Sequence, residues 1–184
     1  MAEASPTFSY AGLNEDLLAT VQRAGNNEIA KIQSLVDQGA DVNMRCSKGW
    51  TPLIHASQRI HNNNNPGLSV DIINALVEKG ADVNAKTTGG KTPLMYASGE
   101  GKGYPEIVRM LLAKGANVNA TASGESGKSA LILAANNGNT EIVRMLLENG
   151  ADITIKSKEG GRTALIYAAE NGRAETVKAL LDKG

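Results

Sequence analysis

The sequence predicts an all-α repeat solenoid, one elongated domain stacked from helix–turn–helix–hairpin units. Three observations carry this. Gly39-Ala40-Asp41-Val42-Asn43 returns as Gly80-Ala81-Asp82-Val83-Asn84, as Gly115-Ala116-Asn117-Val118-Asn119 and as Gly150-Ala151-Asp152-Ile153-Thr154. A second phrase stands between the copies: Thr51-Pro52-Leu53, Thr92-Pro93-Leu94, Ser129-Ala130-Leu131 and Thr163-Ala164-Leu165. The opening glycines are 41, 35 and 35 residues apart, the length of a two-helix unit. A unit of that size buries its apolar face only by stacking on its neighbours.

Residues 1–12 read as an N-terminal tail, with Phe8 and Tyr10 available to pack on the first unit. Residues 13–45 form a capping unit that lacks the second phrase, its helices lying between Asn14 and Gln38. Ile29, Ile32, Leu35 and Val36 recur at helical spacing and make one apolar stripe, opposite Lys31, Gln33 and Asp37. Four units follow, at 46–86, 87–123, 124–157 and 158–184. In each, the Thr or Ser of the second phrase caps a short first helix. Pro52 and Pro93 sit in its first turn, where the missing N–H costs nothing. Second helices are expected at Pro105 to Lys114, Thr140 to Asn149 and Ala174 to Lys183. Glu106, Glu141 and Glu175 lie near their positive ends. Ile107, Met110 and Leu111, and again Ile142, Met145 and Leu146, face inward. Gly80, Gly115 and Gly150 end the helices in the left-handed conformation.

Aromatics make up only 3% of the chain, so the core is built from Leu, Ile, Val, Met and Ala. A formal net charge of zero gives no global field toward nucleic acid or membrane. No stretch approaches the roughly 20 apolar residues of a membrane span. The single cysteine, Cys46, makes no internal disulfide. Met1 to Gly12 has neither a basic n-region nor an apolar run. A cytoplasmic chain is the expectation.

Thr51-Pro52-Leu53-Ile54-His55-Ala56 and Thr92-Pro93-Leu94-Met95-Tyr96-Ala97, in register with the turn phrases, resemble the ankyrin-repeat family and its T-P-L-H-x-A pattern. The resemblance covers residues 13–184, and 127–151 read almost straight through as family consensus. Ile54, Met95, Ile132 and Ile166 stand where the pattern has His, which questions the hydrogen bonding of that turn and not the fold. The resemblance implies a non-catalytic protein–protein interaction module that binds through hairpin tips and the concave face of the first helices. The residues just before each capping phrase, Trp50, Lys91, Lys128 and Arg162, would then line one edge at about 10 Å per unit. Trp and Arg are frequent interface anchors, and three cations favour an acidic patch on the protein partner. Arg59, Tyr96, Glu100, Asn137, Tyr167 and Glu170, near the first helices, are further candidates, the tyrosines equally as packing residues. The alternative is a structural or regulatory array inside a longer multidomain protein, a scaffold or a microbial effector.

Departures from the repeat are few. His61-Asn62-Asn63-Asn64-Asn65-Pro66-Gly67-Leu68 adds about eight residues between two helices and reads as an exposed loop. A smaller insertion surrounds Gly101-Lys102-Gly103. The last unit stops before its hairpin and keeps the internal pattern of Ala168, Ala169, Val177, Leu180 and Leu181 instead of a polar cap. It reads first as part of a longer array, with a tolerated end face or self-association through that face as alternatives.

Ala122-Ser123-Gly124-Glu125-Ser126-Gly127-Lys128-Ser129 resembles a phosphate-binding loop. Its first Gly is replaced by Ala122, no buried strand precedes it, and Ala85-Lys86-Thr87-Thr88-Gly89-Gly90-Lys91-Thr92 repeats the pattern one unit earlier. The motif is therefore assigned to the hairpin and to capping. Two His and one Cys offer no nucleophilic set, and His55 and His61 lack the companions of a metal site. No catalytic residue, cofactor or metal is assigned. Asn119-Ala120-Thr121 is a glycosylation sequon read as chance.

Overall fold

A computed structural model describes residues 10–23, 28–58, 66–99, 101, 103–123 and 126–184. Among them are ten helices: α1 Tyr10–Arg23, α2 Glu28–Asp37, α3 Pro52–Gln58, α4 Pro66–Glu78, α5 Pro93–Gly99, α6 Pro105–Ala113, α7 Ala130–Asn137, α8 Thr140–Glu148, α9 Ala164–Glu170 and α10 Ala174–Leu181. Odd-numbered helices stack in one layer and even-numbered helices in a second, and each odd helix also packs on its own even partner. Short, alanine-rich first helices permit this closeness: Ala56, Ala97, Ala130, Ala134, Ala135, Ala164 and Ala168 are all buried.

The leucines of the second phrase, Leu53, Leu94 and Leu131, are fully enclosed. The inward stripe of the second helices is wider than the sequence suggests. Val108 and Val143 are completely buried, whereas Met110 and Met145 are half-buried. Each internal second helix meets its own first helix and both neighbouring second helices, so more of its circumference is covered than one amphipathic face.

Two boundaries differ from expectation. α1 starts at Tyr10, inside the stretch read as tail, because Leu13, Leu17 and Val21 form a buried face that a longer helix presents whole. Pro66, Gly67 and Leu68, read as loop, open α4, with Pro66 in the first turn, where a missing N–H costs nothing. Residues 61–65 of that insertion lie outside the described residues, as do Lys102 of the second insertion and Phe8 of the tail.

The capping hydroxyls behave as expected. Thr51 Oγ1 accepts from Ile54 N–H at 3.3 Å, Thr92 Oγ1 from Met95 N–H at 3.3 Å, Ser129 Oγ from Ile132 N–H at 3.3 Å and Thr163 Oγ1 from Ile166 N–H at 3.5 Å. These donors are backbone groups, so replacing the pattern's His leaves the cap intact. Ile54, Met95 and Ile132 become core residues instead.

A ladder of asparagines ties the units together. Asn43 donates from Nδ2 to Gly80 O at 3.0 Å and accepts from Asp82 N–H at 2.8 Å. Asn84 does the same with Gly115 O (3.1 Å) and Asn117 N–H (2.7 Å), and Asn119 with Gly150 O (3.1 Å) and Asp152 N–H (2.8 Å). At the fourth position, Thr154 bonds back to Asp152 Oδ1 through both its N–H and its hydroxyl. Those two donors hold the Asp152 carboxyl below its ordinary range. Asn119 spends both ends of its amide on the ladder, which argues against its use as a glycan acceptor. Asn84→Ala removes two hydrogen bonds at the centre of the array and should lower the unfolding free energy by about 1–3 kcal/mol. Urea unfolding followed by circular dichroism checks this; a change under about 0.5 kcal/mol would mean that the ladder is ornamental.

Candidate partner-binding edge

Each hairpin is closed by one backbone hydrogen bond to the residue that precedes the capping phrase. Cys46 N–H donates to Trp50 O (3.0 Å), Thr87 N–H to Lys91 O (3.0 Å), Ala122 N–H to Lys128 O (3.1 Å) and Ser157 N–H to Arg162 O (2.9 Å). The four candidate residues thus occupy equivalent, backbone-fixed positions along one edge. Gly49 N–H to Cys46 O and Gly90 N–H to Thr87 O, both 2.8 Å, tighten the first two tips, and further tip bonds run sideways. Thr88 N–H reaches Lys48 O at 3.3 Å, Ser123 N–H reaches Gly89 O at 3.0 Å and Lys158 N–H reaches Ser126 O at 3.1 Å. Arg45 Nη1 also donates across units, to Lys86 O at 2.6 Å. This sideways bonding explains why the hairpins hold no strand among the described residues, only one antiparallel bridge, Thr121 with Ser129.

Side chains at the edge gather around two tyrosines. The Trp50 ring lies 4.9 Å from Tyr96 and 4.9 Å from His55, centroid to centroid, and Lys91 Nζ sits 5.4 Å over Tyr96. One edge residue comes from the preceding unit and one from the tyrosine's own. The arrangement recurs at Tyr167, with Lys128 Nζ at 4.6 Å and Arg162 Cζ at 5.8 Å. Cation–π attraction of this kind holds a charge in place without neutralising it. Tyr167 also donates to Ser157 Oγ at 3.3 Å. The Ser157 hydroxyl beside the phenolic oxygen first, and then the Lys128 and Arg162 cations, favour the phenolate and hold the Tyr167 phenol below the ordinary range against the opposing effect of burial. Arg162 is raised by its contacts with Tyr167 and Glu170.

Tyr96 and Tyr167 are only 7% and 5% exposed and lie beneath the charged side chains. Asn137 donates to Gly99 O at 2.6 Å and is a strut between units. Glu170 pairs with Arg162 at 3.2 Å, and Glu159 lies 3.9 Å from Lys128. Arg59 and Glu100 lie outside the described residues. In the phosphate-loop look-alike, Lys128 rests on Tyr167 and the Ser129 hydroxyl caps α7, so both polar groups are committed to the fold.

Several edge cations escaped the sequence reading. Hairpin segments 44–50, 85–91, 120–128 and 155–162 carry eight Lys or Arg and two Glu in a chain of zero formal charge. Counting charge by repeat position, rather than over the whole chain, would have revealed this polarity. Elsewhere, the C-terminal end holds a groove of about 320 Å³ between Ile153, Leu165, Leu180 and Leu181. Ile166 is 41% and Leu181 59% exposed. Among the described residues there is no group of three or more His, Cys, Asp or Glu placed to hold a metal ion. Nor is there a helix long and apolar enough to cross a membrane.

A two-layer helical array whose hydrogen-bonded hairpins form a continuous edge defines the class: a repeat protein that works through an extended surface. A family model described as ankyrin repeats (3 copies) matches residues 17–122 and 121–184, and the chain belongs to the ankyrin-repeat family. Members of this family are generally protein–protein interaction modules and typically lack catalytic activity. No curated protein matches the chain.

Proposed function

We propose that this chain is a non-catalytic scaffold or adaptor module, acting in the cytoplasm, that binds a protein partner along the hairpin edge and the adjoining first-helix face. The observation that carries the reading is the row of equivalent, backbone-fixed positions holding Trp50, Lys91, Lys128 and Arg162. Such an edge meets a partner already ordered, so little conformational entropy is lost on docking. Its cations suit an acidic patch on that partner. Trp50 contributes mainly by packing against His55 and Tyr96, and is best left intact in a test. The triple variant Lys91→Glu/Lys128→Glu/Arg162→Glu, shown folded by circular dichroism, should retain less than about a tenth of the partner captured from lysate by the native chain. Equal capture by both proteins sinks the edge as the binding surface.

A second reading, a structural or regulatory array within a longer protein such as a microbial effector, draws on exposed Ile166 and Leu181, which a following repeat would cover. A reading frame with no such repeat removes it.

A further inference from the structure

The edge divides into two electrostatically unlike halves, and we propose that its N-terminal half, the first two hairpins, is the docking end for an acidic peptide segment of the partner. This deepens, and rests on, the reading of the edge as the binding surface. In the second half, two of the four hairpin cations face carboxylates of their own chain: Lys128 is near Glu159 at 3.9 Å and Arg162 pairs with Glu170 at 3.2 Å, while Lys158 donates to Ser123 O at 3.2 Å and Lys156 is exposed. In the first half, segments 44–50 and 85–91 contain four cations, Arg45, Lys48, Lys86 and Lys91, and no Asp or Glu. Among the described residues no carboxylate forms an ion pair with any of these four. The repeat register explains part of the contrast, because the position that holds Glu170 in the last unit holds Gly99 in the second. Asp41 and Asp82 precede these segments and spend a carboxylate oxygen on the N–H of Asn43 and Asn84.

The geometry also says how recognition works. Backbone groups at the tips are already bonded sideways, Thr88 N–H to Lys48 O and Ser123 N–H to Gly89 O. Attraction on this surface comes from side-chain charge and falls with salt. Arg45, Lys48 and Lys86 are exposed, and Lys91 is held by its place over Tyr96 with its charge intact. An acidic peptide fits this surface better than a nucleic acid does. The excess positive charge is confined to the hairpins, and the rest of the chain carries a matching negative excess that repels a long polyanion. Trp50 packs at a tilt against both Tyr96 and His55 and Tyr96 is buried, so the edge offers no row of open rings for base stacking.

The test uses a fluorescein-labelled, Glu-rich peptide of about a dozen residues, long enough to span about two units, with binding read by fluorescence anisotropy. Binding should weaken at least tenfold or so between about 0.05 M and 0.3 M salt. Lys48→Gln/Lys91→Gln should raise Kd by about tenfold, and Lys128→Gln/Arg162→Gln by less than about threefold. Releasing the second half with Glu159→Gln/Glu170→Gln should tighten binding by about threefold. Equal losses from the two Lys/Arg pairs overturn the localisation while leaving the edge as the binding surface. A peptide that fails to bind, while the cellular partner is still lost on edge charge reversal, overturns the acidic chemistry alone. Tighter binding of a poly(U) RNA probe than of the peptide overturns the assignment to a peptide.

Discussion

Leu131→Ala is expected to lower the unfolding free energy by about 2–5 kcal/mol. Leu131 is the leucine of the capping phrase in α7, is 1% exposed and lies within the main core. α7 packs on α5, α8 and α9, so neighbours on three sides resist collapse into the vacated space and the cavity persists. In a solenoid, stability is close to a sum of unit and nearest-neighbour terms. Weakening a central unit should therefore uncouple the N-terminal units from the C-terminal ones, and one urea transition should become two. Leu181→Ala is the control: at 59% exposure it leaves no cavity, and its change should stay under about 0.5 kcal/mol. A single, unshifted transition for Leu131→Ala would mean that cooperativity does not pass through α7.

Gly90→Ala is expected to cost about 2–4 kcal/mol, from backbone strain together with overpacking. Gly90 has a φ of +74°, in the left-handed region. A methyl group there would stand 2.2 Å from Ser123 N and from its hydroxyl oxygen. The obstacle is the backbone of the next hairpin, whose Ser123 N–H is bonded to Gly89 O, so relief requires the two tips to separate. Gly115→Ala separates the two causes. Its φ is +86° and no atom lies within 4 Å of the added carbon, leaving only the left-handed cost of about 1–2 kcal/mol. Thermal and urea unfolding of the pair give the difference. Equal effects would show that the tip contact contributes nothing, and the continuity of the edge would then rest on side chains alone.

The sequence by itself determined the repeat length, the two-helix unit, the capping hydroxyls and the glycines that end the second helices. It also placed Trp50, Lys91, Lys128 and Arg162 at one equivalent position. Each of these depends on backbone geometry within a few residues, or on apolar groups at the period of a helix, and such rules act the same way in every unit. What tertiary structure alone decided is what these side chains touch. Lys128 settles on Tyr167 of the next unit, Trp50 meets Tyr96 across a unit boundary, and Arg45 reaches the carbonyl of Lys86. The asparagine ladder bridges residues 31 to 39 apart in sequence. These contacts depend on the rise and rotation from one unit to the next. Burial sets that displacement, which is why the composition of a single repeat does not display it. The same displacement brings Glu159 beside Lys128, while Arg162 meets Glu170 within its own unit, and these pairings set the second half of the edge apart from the first, where no cation meets a carboxylate among the described residues.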